Sequence, residues 1–217
     1  MEQKGNLHQP EEEETKMGRI FCILTGYLCG SFLTAELVAQ ERIGKSAFEI
    51  GTGNPGMANL AEQGGIGCAI QVLAGDVGKT ILACLLSRYV YGAELGVLAS
   101  AYAGLGCILG HDYPFWHWFH GGKGVACNAA ALIFIWPLGG LFSCLTGLTA
   151  VLLTGYLPLG AVLIPAAFTL PAFLEYGLEP GFLAVLMTLI MLRQHAPGLK
   201  NMFLGTEKKV DLPGMLR

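Results

Sequence analysis

From residue 20 onward the chain alternates long apolar runs with short polar interruptions rich in glycine. A helix that crosses a bilayer needs about 20 mostly apolar residues, or a few fewer where polar loops dip inward. Runs at 20–40, 65–87, 94–110, 124–139, 140–156, 158–174 and 180–193 meet that standard and predict about seven spans. Between 124 and 174 the runs nearly touch, and Pro137-Leu-Gly-Gly140 and Gly155-Tyr-Leu-Pro158 supply the turns. The expected fold is therefore all-α and polytopic, with short helices and glycine loops at one membrane interface. The many glycines suit close helix packing in lipid.

Composition sharpens that picture. Of 217 residues, 53% are hydrophobic and only 13% charged, with a mean hydropathy of +0.53. Soluble domains carry about 25% charged residues. Much of the net charge of −3 sits at the start, where five glutamates face two lysines and one arginine in the first nineteen residues. The remainder is close to neutral, so no basic field suited to nucleic acid exists. Residues 1–18 lack apolar periodicity and read as a disordered acidic tail. Residues 19–209 read as the membrane-embedded domain and 210–217 as a C-terminal tail. An acidic leader is wrong for a cleaved signal peptide, so the first helix is expected to be retained. The seven cysteines lie mostly in apolar runs, never as C-x-x-C, and read as small buried hydrophobes rather than disulfides or metal ligands.

Charge placement orients the spans. With the N-terminus outside, the inner segments collect Arg42, Lys45, Lys123, Arg193, Lys200, Lys208, Lys209 and Arg217. The outer segments hold only Lys4, Lys16, Arg19 and Arg88. That asymmetry predicts an outer N-terminus and a cytoplasmic C-terminus in the plasma membrane. It also puts the polar segments 41–64, 111–123, 155–158 and 194–209 on one face, where any chemistry belongs.

Two of those segments are suited to anions. In "GTGNPGMANL", Gly51, Gly53 and Gly56 allow close backbone approach, and Thr52, Asn54 and Asn59 add side-chain donors ahead of a helix start. A plain Asn-Pro-Gly turn between helices would read the same way. In "GHDYPFWHWFHGGKGV", Gly121, Gly122 and Gly124 offer backbone N–H groups around Lys123, a point charge for phosphate. It is not a Walker loop, because Val125 stands where serine or threonine is required. A lysine snorkelling to the interface is the plainer alternative. The aromatics at 113, 115, 116, 118 and 119 form an interfacial belt. His111, His117 and His120 lack the further ligands and spacing of a metal site. Asp76 and Lys79, three apart on one helix face, read as a structural ion pair within the membrane. His195, in "RQHAPGLKNMFLGTEKK", is the one group there able to act as a base near neutral pH. The same stretch also reads as a basic amphipathic tail on anionic lipid.

Taken together these residues resemble the bacterial acyl-phosphate:glycerol-3-phosphate acyltransferase family, the PlsY type, from about residue 20 to residue 209. "YLCGS" at 27–31 looks like its opening helix, and "GTGNPGMAN" resembles its G-S-G-N-x-G-A-T-N loop. Asp76 and Lys79 match its D-x-x-K, "GHDYPFWHWFHGGKGVA" its G-H-x-[FY]-P-x-F-x-x-F-K-G-G-K-G-V-A, and His195 with "GTEKK" its last motif. The resemblance implies transfer of a fatty acyl group from acyl-phosphate to the primary hydroxyl of glycerol 3-phosphate, among membrane lipids and with no cofactor. It further implies that Lys123, Thr52, Asn54, Asn59 and His195 hold phosphate or orient the hydroxyl, the base being His195 or a substrate phosphate.

The departures cluster at the implied site. Phe48 and Glu62 stand where the pattern has arginines, His120 replaces the first lysine of K-G-G-K, Gly160 replaces a serine and Gly198 an asparagine. Thr52 replaces a serine and keeps the hydroxyl. Glu62 matters most, because a carboxylate repels a phosphate that an arginine would attract, which makes this residue acceptor-determining. A non-catalytic relative that binds a lipid or partner, and a small-anion transporter, remain as alternative functions. No inverted repeat or second interrupted helix pair supports transport.

Overall fold

Backbone groups in a bilayer find no water, so apolar runs must satisfy their hydrogen bonds internally, and here they do so as helices. The computed structural model describes residues 9–210, which form eight α-helices and no strand. They are α1 (Gln9–Ser31), α2 (Thr34–Ile43), α3 (Met57–Leu95), α4 (Val97–Asp112), α5 (Val125–Ile135), α6 (Pro137–Thr154), α7 (Leu157–Tyr176) and α8 (Leu178–Phe203), with a 3-10 turn at Phe115–His117. Five stretches are long and apolar enough to cross a membrane: Glu12–Ile43, Met57–Leu95, Pro137–Thr154, Leu157–Tyr176 and Leu178–Phe203. α4 and α5 fall short of that length.

The departures from the predicted boundaries have local causes. Residues 9–18, expected in a disordered tail, form the first turns of α1, where Glu12, Glu13 and Glu14 complement the positive end of the helix dipole. Residues 1–8 lie outside the described residues. The run at 20–40 is not one helix but breaks at Phe32-Leu33, which frees the Phe32 carbonyl for Lys79. α3 begins eight residues before its predicted span and kinks where that span was expected to start, at Gly65 (φ 77°, ψ −178°). Only glycine adopts that conformation without strain. The polar segment at 194–209 is helical through Phe203, because Met191, His195 and Gly198 continue the buried stripe of α8.

Packing is set by small residues. α4 is central and touches α1, α3, α5 and α8. Gly26 and Gly30 on α1 meet Gly106 and Gly110 on α4, each pair spaced i, i+4. A Cβ at any of the four would overlap a backbone carbonyl of the other helix (Ala103, Cys107, Ile23 and Tyr27 respectively). Two such faces let the backbones touch, the packing that replaces the hydrophobic effect between helices in lipid. α6 and α7 repeat the device at Gly147 and Gly160.

The contacts at the two ends are distinct. At one end Arg19 forks onto Glu179 (Nε to Oε1 2.6 Å, Nη2 to Oε2 3.0 Å), which also accepts the Tyr102 hydroxyl at 2.6 Å. This clasp ties α1, α4 and α8 together. The other end carries the polar segments.

Candidate active site

Four polar segments meet at that second end, as their charge pattern predicted. The Phe48 and His117 rings join the first and second loops, with centroids 5.1 Å apart. Gln194 of α8 donates to the Gly122 carbonyl at 3.4 Å. Lys208 reaches Glu62 at 3.0 Å, and the Val210 N–H reaches the Gly155 carbonyl at 2.9 Å.

The first loop is stapled by Asn59. This buried amide accepts the Thr52 N–H at 2.9 Å and donates to the carbonyls of Ala47 (3.3 Å) and Ile50 (3.1 Å). Gly51 and Gly53 both have positive φ, and Gly53 donates to Ile50 at 2.9 Å. Thr52 is exposed, and its Oγ1 accepts the Asn54 N–H in a long 3.4 Å bond. Asn59 therefore shapes the loop, while Thr52 stays exposed and Asn54 half-buried.

The second loop stands on the end of α4. The Gly122 N–H donates to the His111 carbonyl at 3.0 Å, and Gly122 rests on the His111 imidazole with no room for a Cβ. Gly121 lies against the same carbonyl, and a Cβ on Gly124 would come within 2.7 Å of the Asp112 carboxylate. These glycines let the loop approach α4 closely. Trp118 and Phe119 are exposed, and both adopt left-handed backbone, a strained choice for aromatic residues. Lys123 is exposed and has no hydrogen-bond or ion-pair partner among the described residues. His195, on α8, is buried, and its Nδ1 donates to the Met191 carbonyl at 3.0 Å. A carbonyl only accepts, so Nδ1 carries the hydrogen and the neutral ring keeps its lone pair on Nε2. No hydrogen bond or ion pair joins Thr52, Lys123 and His195 to one another.

Beneath the loops lies a buried polar cluster that the sequence showed only in part. The Lys79 ammonium contacts Asp76 Oδ1 at 2.8 Å, the Phe32 carbonyl at 2.7 Å and His111 Nδ1 at 2.8 Å. The Phe32 carbonyl and His111 Nδ1 take two of its hydrogens, and Asp76 supplies the counter-charge. His111 accepts there, so its own hydrogen belongs on Nε2, the nitrogen that faces Gly122. Asp76, His111 and Cys127 bring ligand atoms within 4.8 Å of one another, a spacing that suits a metal. Lys79 already takes the place of that cation. The role of His111 was missed, since its partners lie 32 and 35 residues back in the chain.

Similarity to known proteins agrees with this arrangement. The family model described as glycerol-3-phosphate acyltransferase matches residues 20–205. The chain belongs to that family. It is an integral membrane acyltransferase, as the resemblance implied. Glycerol-3-phosphate acyltransferase 1 of Lactobacillus johnsonii is 33% identical over 196 residues, covering 90% of this chain and 94% of that protein. The Cronobacter sakazakii glycerol-3-phosphate acyltransferase is 37% identical over 195 residues, covering 87% and 90%. Among solved structures, PlsY (YgiH), an integral membrane glycerol 3-phosphate acyltransferase, in its glycerol 3-phosphate form superposes with a TM-score of 0.81. That match has 25% identity and covers 91% of this chain and 98% of the other. The lysophosphatidic acid form gives a TM-score of 0.78.

Within the acyltransferase family pattern, the departures of this chain have physical settings. Gly160 packs against Gly147, where a serine side chain would press on Val151 and the Gly147 carbonyl. At Gly198 a Cβ would come within 2.6 Å of the Pro158 ring. Phe48 makes the ring contact with His117 in place of an arginine's charge. His120 turns back to the Trp118 carbonyl at 2.6 Å. Glu62 is held by Lys208.

Proposed function

We propose that this acyltransferase moves a fatty acyl group from acyl-phosphate to the primary hydroxyl of glycerol 3-phosphate, for phospholipid synthesis. The observation that carries this reading is the meeting of two glycine loops and α8 at one end of the bundle, where, among the described residues, Lys123 has no partner and the His195 Nε2 lone pair is uncommitted. The hydroxyl oxygen attacks the acyl carbonyl carbon, the carbon–oxygen bond to phosphate breaks, and lysophosphatidic acid and inorganic phosphate leave. His195 Nε2 takes the hydroxyl proton. Lys123 and the N–H groups of Gly121 and Gly124 hold phosphate charge, and Thr52 and Asn54 supply donors on the facing loop. The reaction needs no redox or acid–base partner beyond these groups, and positioning carries much of the rate.

The reading places seven spans in the plasma membrane, with the N-terminus outside and this site at the cytoplasmic interface. The lysine and arginine asymmetry supports it. Purified protein in nanodiscs, given radiolabelled acyl-phosphate and glycerol 3-phosphate, should yield labelled lysophosphatidic acid. Label that stays in acyl-phosphate and free fatty acid would refute the transfer. A reporter fused after Arg217 should report the cytoplasm, and a periplasmic signal there would overturn the orientation.

A further inference from the structure

A dianionic acceptor at this end meets an awkward charge. Glu62 is exposed one turn beyond Asn59, the residue that staples the first loop, and its neighbour Gln63 lies against Gly51 of that loop. Alone, this carboxylate would repel a phosphate nearby. It is not alone, because Lys208 comes back from the C-terminal segment to within 3.0 Å of Glu62 Oε1.

The segment that carries Lys208 is fixed on both sides. Before it, the N–H groups of Thr206 and Glu207 donate to the Asn201 carbonyl at 2.9 and 3.2 Å. After it, the Lys209 ammonium lies 5.4 Å from the centre of the Tyr156 ring, and Val210 donates to Gly155. Glu207 Oε1 lies beside Gly198, one turn past His195 on α8. The Lys208 side chain is 76% exposed, and Glu62 engages one of its three hydrogens. Two donors and a full positive charge therefore remain open beside Glu62, at the end of the bundle that carries the two loops.

We propose that Lys208 is an acceptor-binding residue that recognises the phosphate of glycerol 3-phosphate, and that Glu62 is its positioning residue. This rests on the acyltransferase reading above. Glu62 then helps binding by aiming a cation, rather than opposing it by repulsion. The two roles predict opposite results for the same substitution.

The test uses the full chain in nanodiscs, with initial rates at saturating acyl-phosphate and calorimetric titration with glycerol 3-phosphate. Lys208→Ala should raise KM and Kd for glycerol 3-phosphate about tenfold with kcat nearly unchanged, as loss of a ground-state charge contact does. Lys208→Arg should restore most of the affinity. Glu62→Gln should raise KM about threefold, since the lysine loses its anchor. Unchanged KM and Kd in Lys208→Ala, or a lowered KM in Glu62→Gln, would overturn the proposal. Absence of acyl transfer by the unsubstituted protein, with titration still weakened by Lys208→Ala, would overturn the catalytic reading and leave this binding role standing. Absence of glycerol 3-phosphate binding altogether would overturn it.

Discussion

Among the described residues, two lysine–carboxylate pairs lie at nearly the same distance, and they sit in opposite surroundings. Lys79 and Asp76 lie 2.8 Å apart with side chains 7% and 4% exposed. Lys208 and Glu62 lie 3.0 Å apart with side chains 76% and 38% exposed. Contact distance does not separate them; solvent does. A buried pair is bound to its place because neither ion tolerates the loss of the other, whereas an exposed pair gains little and leaves its charges free for a third group. The first belongs to the architecture, and the second to the face that the proposal assigns to the substrate. Between them lies the Gly121–Gly124 loop, which rests on His111 of the buried cluster and presents Lys123 to the exposed face.

The largest effect should come from breaking the buried pair. Asp76→Ala leaves the Lys79 ammonium without its counter-charge, a loss of about 3–5 kcal/mol for a buried pair. Melting in detergent, followed with a thiol-reactive dye, should report it as a large fall in midpoint, because Cys84, Cys107 and Cys127 are fully buried until the bundle opens. The double variant Asp76→Leu, Lys79→Met should recover only part of the loss, since the Phe32 carbonyl and His111 Nδ1 then lose their donor. A midpoint unchanged in Asp76→Ala would mean that the pair does not support the fold.

Lys123→Ala comes next and should act on rate instead of stability. Losing a charge aimed at the transition state costs about 2–4 kcal/mol, which is roughly 30- to 1000-fold in turnover. The melting midpoint should stay where it was, because Lys123 has no partner among the described residues to lose. Full activity in this variant would reduce the loop to an interfacial anchor.

Gly160→Ser tests a residue that belongs to both regions by position. It lies near the polar end, where the family pattern has serine, yet it packs like the core, against Gly147 and Val151. Overpacking of this kind costs about 1–3 kcal/mol. A midpoint lowered with no gain in glycerol 3-phosphate affinity would place Gly160 with the architecture, and improved KM at an unchanged midpoint would return it to the site.

How much of this was legible in the sequence follows the same division. Apolar runs are local, so the helical class and the clustering of polar segments at one end could be read directly, as could the motifs around Lys123 and His195. Interactions across long stretches of chain could not. The break at Phe32-Leu33 exists because Lys79, 47 residues later, takes the Phe32 carbonyl, and nothing in the run at 20–40 shows that need. His111 looked like a loop histidine until Lys79 and Asp76 were seen beneath it. Asn59 and Gly122 were read as ligand groups from their types, and the structure commits the Asn59 amide and the Gly122 N–H to shaping the loops. Glu62 read as a lone negative charge because Lys208 lies 146 residues away.

The smallest effect on stability should come from the exposed pair, and its smallness is informative. Surface ion pairs contribute about 0–1 kcal/mol, because water already solvates both ions and two long side chains lose freedom in meeting. Lys208→Ala should therefore leave the melting midpoint within a degree or two in low salt, and indistinguishable from the unsubstituted protein at high salt, where screening removes what remains. Acceptor affinity should still fall in the same sample, since a phosphate bound between Lys208 and the loops concentrates charge that water alone holds poorly. A clear loss of midpoint at high salt would show that the C-terminal segment is a structural brace, held by Val210 and Lys209 as much as by the ion pair. The contrast between the two lysines would then be one of degree, with both serving the fold.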